Sequence, residues 1–430
     1  MLWRSMAPAV PFVIVLLVAC PAGTASLPST PPEEVGLSSE RLGRLGQWFT
    51  HEIAQGRLPG AVALVARRGR IAYLESFGSR DPVSGAPMTS DAIFRLASMT
   101  KPFTSVAAMM LVEEGKLVLT DPIATLLPSL AKLEVSVPTV DPTTGTVTCA
   151  TVPAARAITV QDLLRHTAGF TYGRDTPNTC VKERYARTGV DATDLTNAGL
   201  VERLAQVPLA HQPGTAVEFG RSTDVLGRLI EVVAGMTLGQ FFEARLFAPL
   251  QMTDAGFYVP AAHLGRLAEP FPTHPITGRP ISRLDVTRPP TYEAGGQGAV
   301  ATAGDYARFC QMLLNGGQLD GVRLLSRTTV TLMTADHLGP ALAAAEVPGR
   351  RLLGTPGYTF GLGFAVRREA GIAGVPGSAG EYTWGGAFGT YFWIDPQEAL
   401  IGIMMTQAPG PGLSQSRKRF RQLVYQAVLD

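Results

Sequence analysis

A chain of 430 residues, 46% hydrophobic and 17% charged, can bury a large core divided between two subdomains, which excludes a disordered or fibrous protein. The formal net charge is only +2 and the two signs are interspersed, so there is no electrostatic footprint for nucleic acid and no such partner is expected. Six histidines without paired spacing, and no Cys-x-x-Cys, argue against a metal centre, and nothing calls for a cofactor.

The first two dozen residues read as a secretory leader: Arg4 gives the positive start, and the apolar run Phe12 to Ala19 is too short to span a membrane as a mature helix. Two processing sites compete. Cleavage after Gly23-Thr-Ala25 removes residues 1–25 and leaves a soluble protein, periplasmic or secreted. The Leu17-Val-Ala-Cys20 box instead removes residues 1–19, and Cys20 then carries a lipid that anchors the protein to a membrane.

Beyond the leader, Ser38 or Ser39 caps a helix whose apolar positions Leu42, Leu45, Trp48, Phe49 and Ile53 recur at helical spacing and stop before Gly56. The runs 61–66 and 71–77 flank Arg67-Arg-Gly-Arg70 and read as a β-hairpin. A helix beginning near Ser98 continues through Val106, Met109, Met110 and Val112 to Gly115. Residues 116–300 carry helix signals and loops, with amphipathic stretches at 160–165, 222–233 and 238–247. Cys310 sits in an amphipathic helix, 305–314, as a small buried hydrophobe, whereas Cys149 and Cys180 lie in neighbouring loop-rich segments of an exported chain and are expected to pair. Strand-like runs at 358–366, 382–386, 390–394 and 400–406, split by Gly and Pro turns, precede a closing helix at 414–429. Residues 26–90 and 300–430 thus form one discontinuous α/β (α+β) part, an antiparallel sheet flanked by helices, and 91–299 a mainly helical part, with the site between them.

The most informative residues are Ser98-Met-Thr-Lys101. Three residues apart on a helix, a hydroxyl and an amine share a face, so a nucleophile stands beside a base. The amine serves as a base only if burial or a neighbouring cation keeps it neutral. Pro102 is tolerated at a helix start, which places Ser98 by the helix N-terminus, where the dipole favours a developing oxyanion.

Several stretches in fixed order, 94–103, 158–170, Pro213-Gly-Thr215 with 222–230, 249–253, 295–315 and Trp384-Gly-Gly386, resemble the serine β-lactamase and penicillin-binding-protein superfamily, in the branch of class C β-lactamases and β-lactamase-like esterases. The resemblance implies the β-lactamase/transpeptidase-like fold and an acyl-enzyme on Ser98 with Lys101 as base. It also implies an oxyanion hole from the N–H groups of Ser98 and Ala387, and substrate contacts from Phe219, Arg221, Trp384, Gly385 and Gly386. Trp384 occupies a position that is often basic, which removes a cation for a substrate carboxylate and points to neutral acyl esters. Relatives carry a tyrosine where this chain has Phe219, so the usual proton relay is missing. Three substitutes are open: Lys101 as the sole base, a tyrosine from elsewhere (Tyr172, Tyr358 or Tyr382), or Arg221 as donor to the leaving group. His166 is read as a loop buttress and not as a triad base, and no G-x-S-x-G elbow is present. The expected activity is an exported serine hydrolase acting on a small or medium acyl ester, amide or lactone. The alternatives are a non-catalytic or weakly active peptidoglycan- or ligand-binding relative, and a β-lactamase or D-amino peptidase.

Overall fold

The computed structural model describes residues 26–192, 194–344 and 356–430. The leader and Cys20 lie outside the described residues. The chain starts with α1 (Ser39–Ala54), capped by the Ser38 side chain, then β1 (Gly60–Arg67), β2 (Arg70–Asp81) and β3 (Ala86–Pro87). A connecting segment follows with β4 (Phe94–Arg95), α2 (Lys101–Glu113), the hairpin β5 (Glu134–Val140) and β6 (Val147–Pro153), and helices α3 (Val160–Leu164), α4 (Thr179–Thr188), α5 (Asn197–Leu204), α6 (Ser222–Ala234) and α7 (Leu238–Phe242). The chain then returns through β7 (Val300–Ala301), α8 (Ala303–Leu314), the short hairpin β8 (Gln318–Leu319) and β9 (Val322–Arg323), α9 (Arg327–Met333) and α10 (Gly339–Ala344). It closes with β10 (Tyr358–Phe360), β11 (Ala365–Arg367), β12 (Tyr382–Gly385), β13 (Tyr391–Asp395), β14 (Leu400–Thr406) and α11 (Leu413–Tyr425).

One eight-stranded antiparallel sheet runs β10-β11-β12-β13-β14-β1-β2-β3, so strands from both ends of the chain meet at the β14–β1 pair. β1 and β14 are buried along their whole length because both sheet faces are covered, and they are accordingly continuous apolar runs with no alternation. On one face α1 and α11 bring Leu42, Leu45, Phe49, Phe420 and Val424 against Trp393 and Met404. On the other, α8 joins the sheet to the helical part, where the Phe103 ring of α2 meets Phe242, Phe247, Tyr306 and Phe309. α2 is buried almost all round because it is enclosed on every side, which fits its weakly amphipathic sequence.

Two features differ from the sequence expectation. The middle segment is not helical throughout: β5 and β6 form a largely exposed hairpin, tied to α4 by a Cys149–Cys180 disulfide. The run 358–366 is two strands, since the chain turns at Gly361–Gly363, where a Cβ on Gly361 would strike the Met333 carbonyl.

Candidate active site

The site forms where the sheet meets the helical part. β4 pairs with β7, and the Leu96 N–H donates to the Ala299 carbonyl at 2.9 Å. The chain then takes a left-handed residue, Ala97 at φ 48°, and enters one 3-10 turn, Ala97–Thr100, that leads directly into α2. A non-glycine residue held at positive φ is a local cost that surrounding bonds must offset. They do so here: Thr100 Oγ1 donates to the Ala97 carbonyl and accepts from Ala299 N–H, and Tyr306 Oη donates to the Met99 carbonyl. Ser98 is thereby presented at the mouth of α2 by a fixed turn.

Lys101, 1% exposed, places its Nζ 3.2 Å from Ser98 Oγ, 3.2 Å from Tyr172 Oη and 2.6 Å from the Gly296 carbonyl oxygen. The Phe219 ring lies beneath this amine at 4.4 Å. Burial, opposed by Asp224 and reinforced by the Arg221 guanidinium, pulls the Lys101 pKa down to about 7. Burial also keeps the Tyr172 phenol well above its usual range, so it stays protonated and can donate. Asp224 acts through the backbone: its Oδ1 accepts from Gly296 N–H at 3.0 Å, which fixes the carbonyl facing Lys101.

The two aromatic residues converge because Gly220 lies flat on the Thr171 backbone, where a Cβ would come within 2.3 Å of the Thr171 Cα. That contact sets Tyr172 edge-on to Phe219, which also meets Trp384 and His166 edge-on. His166 is buried and neutral, its pKa pulled down to about 3 chiefly by burial; its ring packs on Phe219 and Phe360, and its Nδ1 has no hydrogen-bond partner among the described residues.

Opposite Ser98, the open edge of β12 carries Trp384, Gly385, Gly386 and Ala387. Ser98, Phe219 and these four residues line a cavity of about 410 Å³. Gly386 crosses the Leu96 carbonyl so closely that a Cβ would lie 2.1 Å from that oxygen, and Thr390 Oγ1 donates to the same carbonyl. The N–H groups of Ser98 and Ala387 take no backbone partner among the described residues and remain available to a ligand oxygen.

Arg221 departs from its expected place. It does not line the cavity; it is 6% exposed behind Tyr172, stacked on that ring at 5.1 Å and paired with Asp191 and Asp224. A guanidinium neutralised by two carboxylates in that position is a support for Tyr172 and not a substrate contact. The other two candidate tyrosines do not serve Lys101: Tyr358 lines the cavity but its hydroxyl donates to Glu381, and Tyr382 packs on Phe364 in the core. Tyr172 is thus the tyrosine that reaches Lys101. The Gly296 carbonyl and the Asp224 carboxylate were not singled out from sequence; the Gly295-Gly-Gln-Gly298 cluster was the available signal.

The Beta-lactamase family model matches residues 45–426, and the chain belongs to that family, with its β-lactamase/transpeptidase-like fold. An uncharacterized protein of Mycobacterium tuberculosis is 38% identical over 366 residues, 82% of this chain and 86% of the relative. Esterase EstB of Burkholderia gladioli is 30% identical over 393 residues, 86% of this chain and 91% of the relative. Among solved structures, EstCE1, a hydrolase with promiscuous acyltransferase activity, superposes with a TM-score of 0.73 at 28% identity, over 91% of this chain and 99% of that one.

Proposed function

We propose that the protein is an exported serine hydrolase that cleaves small or medium acyl esters, amides or lactones through an acyl-Ser98 intermediate. The observation that carries this reading is Lys101 Nζ, 3.2 Å from Ser98 Oγ in a buried setting that leaves the amine about half neutral near pH 7. Neutral Lys101 takes the Ser98 proton as Oγ adds to the substrate carbonyl carbon, and the resulting oxyanion lies between the N–H groups of Ser98 and Ala387. Collapse expels the leaving group, which takes a proton from Tyr172 while Tyr172 regains one from Lys101. Water, deprotonated by the same pair, then attacks the acyl carbon, releases the acid and restores Ser98.

Phe219 is the observation that favours the rival, a non-catalytic or weakly active binding relative, because it has no hydroxyl to relay a proton. Tyr172 weighs against that rival by supplying a phenol at 3.2 Å from the same amine. Hydrolysis of a p-nitrophenyl short-chain ester, abolished in Ser98→Ala, is the expected result. Wild-type protein that turns over no activated ester would favour the binding role. Export rests on the leader-like N-terminus and is supported by the Cys149–Cys180 pair, which suits an oxidising compartment. Mass spectrometry of the native protein should find a start at lipidated Cys20 or at Ser26, and a retained Met1 would contradict export.

A further inference from the structure

Tyr172 stands in the loop between α3 and α4, and its two chain neighbours both rest on one side chain of α4. The Thr171 N–H donates to Tyr185 Oη at 3.3 Å. Gly173 lies so close to the same residue that a Cβ there would come within 2.4 Å of the Tyr185 Cβ and 2.7 Å of its Cγ. Tyr185 is 2% exposed, and burial holds its phenol above the usual range, so it stays neutral. With Gly220 pressed on the Thr171 backbone, the residue before the relay phenol is held by two contacts, one from the chain entering α6 and one from α4.

α4 has few anchors of its own. Of its ten residues, Cys180, Val181 and Tyr185 are the buried ones. At its C-terminal end Arg203 Nη1 donates to the Thr188 and Gly189 carbonyls at 3.2 and 2.7 Å. Its N-terminal end, which follows directly on the Tyr172 loop, is tied to the β5–β6 hairpin: Ser136 Oγ donates to Oδ1 of the N-cap Asn178 at 3.3 Å, and Cys180 is bridged to Cys149. Cys149 lies on β6, exposed along its length, so the bridge is open to a reductant, whereas Cys180 is 4% exposed.

We propose that α4 positions the Tyr172 relay through Tyr185, and that the Cys149–Cys180 bridge fixes this support, so that reduction of the bridge by a dithiol lowers turnover. This rests on the reading of Tyr172 as proton relay and adds a redox control to it. In the reduction, a thiolate of the dithiol attacks a bridge sulfur and the S–S bond breaks. The second thiolate of the reagent then displaces the first from the mixed disulfide, so the reagent leaves as a disulfide and its two protons end on the cysteine thiols. Without the bridge, the Ser136–Asn178 hydrogen bond is the polar side-chain tie left between hairpin and α4 among the described residues. Any shift of Tyr185 then carries Thr171 and Gly173 with it, and a displacement of about 1 Å at a reacting group costs up to about a hundredfold in rate. Ser98 and Lys101 are set by the turn into α2 and do not share this support.

The test measures kcat and KM on a p-nitrophenyl short-chain ester for oxidised wild type, for wild type reduced with dithiothreitol and desalted without oxygen, for Cys149→Ser/Cys180→Ser and for Tyr185→Phe. Each is verified as folded by circular dichroism, and each is repeated with Tyr172→Phe added. Reduction and the cysteine variant should lower kcat about tenfold with KM within about twofold, Tyr185→Phe should lower it about fivefold, and reoxidation should restore wild type. In the Tyr172→Phe background none of these changes should cost anything further, whereas a helix that merely stabilises the fold would cost the same in both backgrounds. An unchanged kcat in folded reduced protein or in Tyr185→Phe, or equal losses with and without Tyr172→Phe, overturns the proposal and leaves the hydrolase reading intact. If the reduced protein or the cysteine variant unfolds, Tyr185→Phe in the two backgrounds decides. If no ester is cleaved, or Tyr172→Phe alone turns over like wild type, the underlying reading has failed, and amide hydrogen exchange over residues 168–178 decides the positioning. Exchange that is faster on reduction and in Tyr185→Phe, with α2 unchanged, supports it, and equal exchange overturns it.

Discussion

Tyr172 Oη and Lys101 Nζ meet at 3.2 Å across 71 residues of chain, and the Phe219 ring lies against both side chains. The phenylalanine at the expected relay position therefore does not leave the amine without a hydroxyl partner. It forms an apolar floor that helps to desolvate the amine, while the phenol arrives from a different loop.

Removing that phenol should be as harmful as removing a general acid-base group. Tyr172→Phe is expected to lower kcat on a p-nitrophenyl ester by about two to four orders of magnitude, with the fold intact by circular dichroism. Phe219→Tyr should not raise turnover, because the relay position is already filled. A rise in kcat in Phe219→Tyr would reassign the relay to position 219.

The pH profile follows from the same amine. Lys101 works as a base only when neutral, so kcat/KM should rise with pH through an apparent pKa of about 7 and then level off. Arg221 helps to depress that pKa, and its loss leaves Asp224 unopposed. Arg221→Gln should therefore displace the rising limb to higher pH, measured as kcat/KM from pH 5 to 10. A limb that stays in place would remove Arg221 from the electrostatics of Lys101.

Gly386→Ala tests the oxyanion geometry. The added Cβ would lie 2.1 Å from the Leu96 carbonyl and 2.2 Å from Thr390 Oγ1, so the β12 end must shift relative to Ser98. A loss of about a hundredfold or more in kcat, with a smaller change in KM, is the expected result in steady-state assays. A KM change alone would mean that the strand serves binding and not the transition state.

The legible part of the site was the part written within one element. Ser98 and Lys101 fall in one helical turn, and β14 and β13 announce themselves as apolar runs because both sheet faces are covered. The hairpin β5–β6 escaped because it buries little, with Val137, Val140, Val147 and Val152 all exposed, so no burial period marks it. Arg221 was misplaced because adjacency to Phe219 in sequence does not say which side of the loop a side chain takes. Tyr172 could be named only as one of several tyrosines, since its approach depends on Gly220 lying on Thr171, a tertiary contact.

The Cys149–Cys180 bridge closes a 31-residue separation and fastens an exposed hairpin to α4. The double variant Cys149→Ser/Cys180→Ser should lose about 3.7 kcal/mol of stability on the loop-entropy estimate, read as a lower denaturation midpoint. Wild type under reductant should behave in the same way, and an unchanged midpoint would show that the bridge contributes no net stability.

The central claim, that Ser98 is a nucleophile activated by Lys101, is tested most directly by intact-mass analysis after exposure to a fluorophosphonate. Wild type should gain the mass of one adduct, mapped to Ser98, with a labelling rate that rises with pH through about 7. Ser98→Ala should gain none, and Lys101→Ala should label at least about a hundredfold more slowly. An unlabelled wild type, or a Ser98→Ala variant labelled as fast as wild type, would contradict the account.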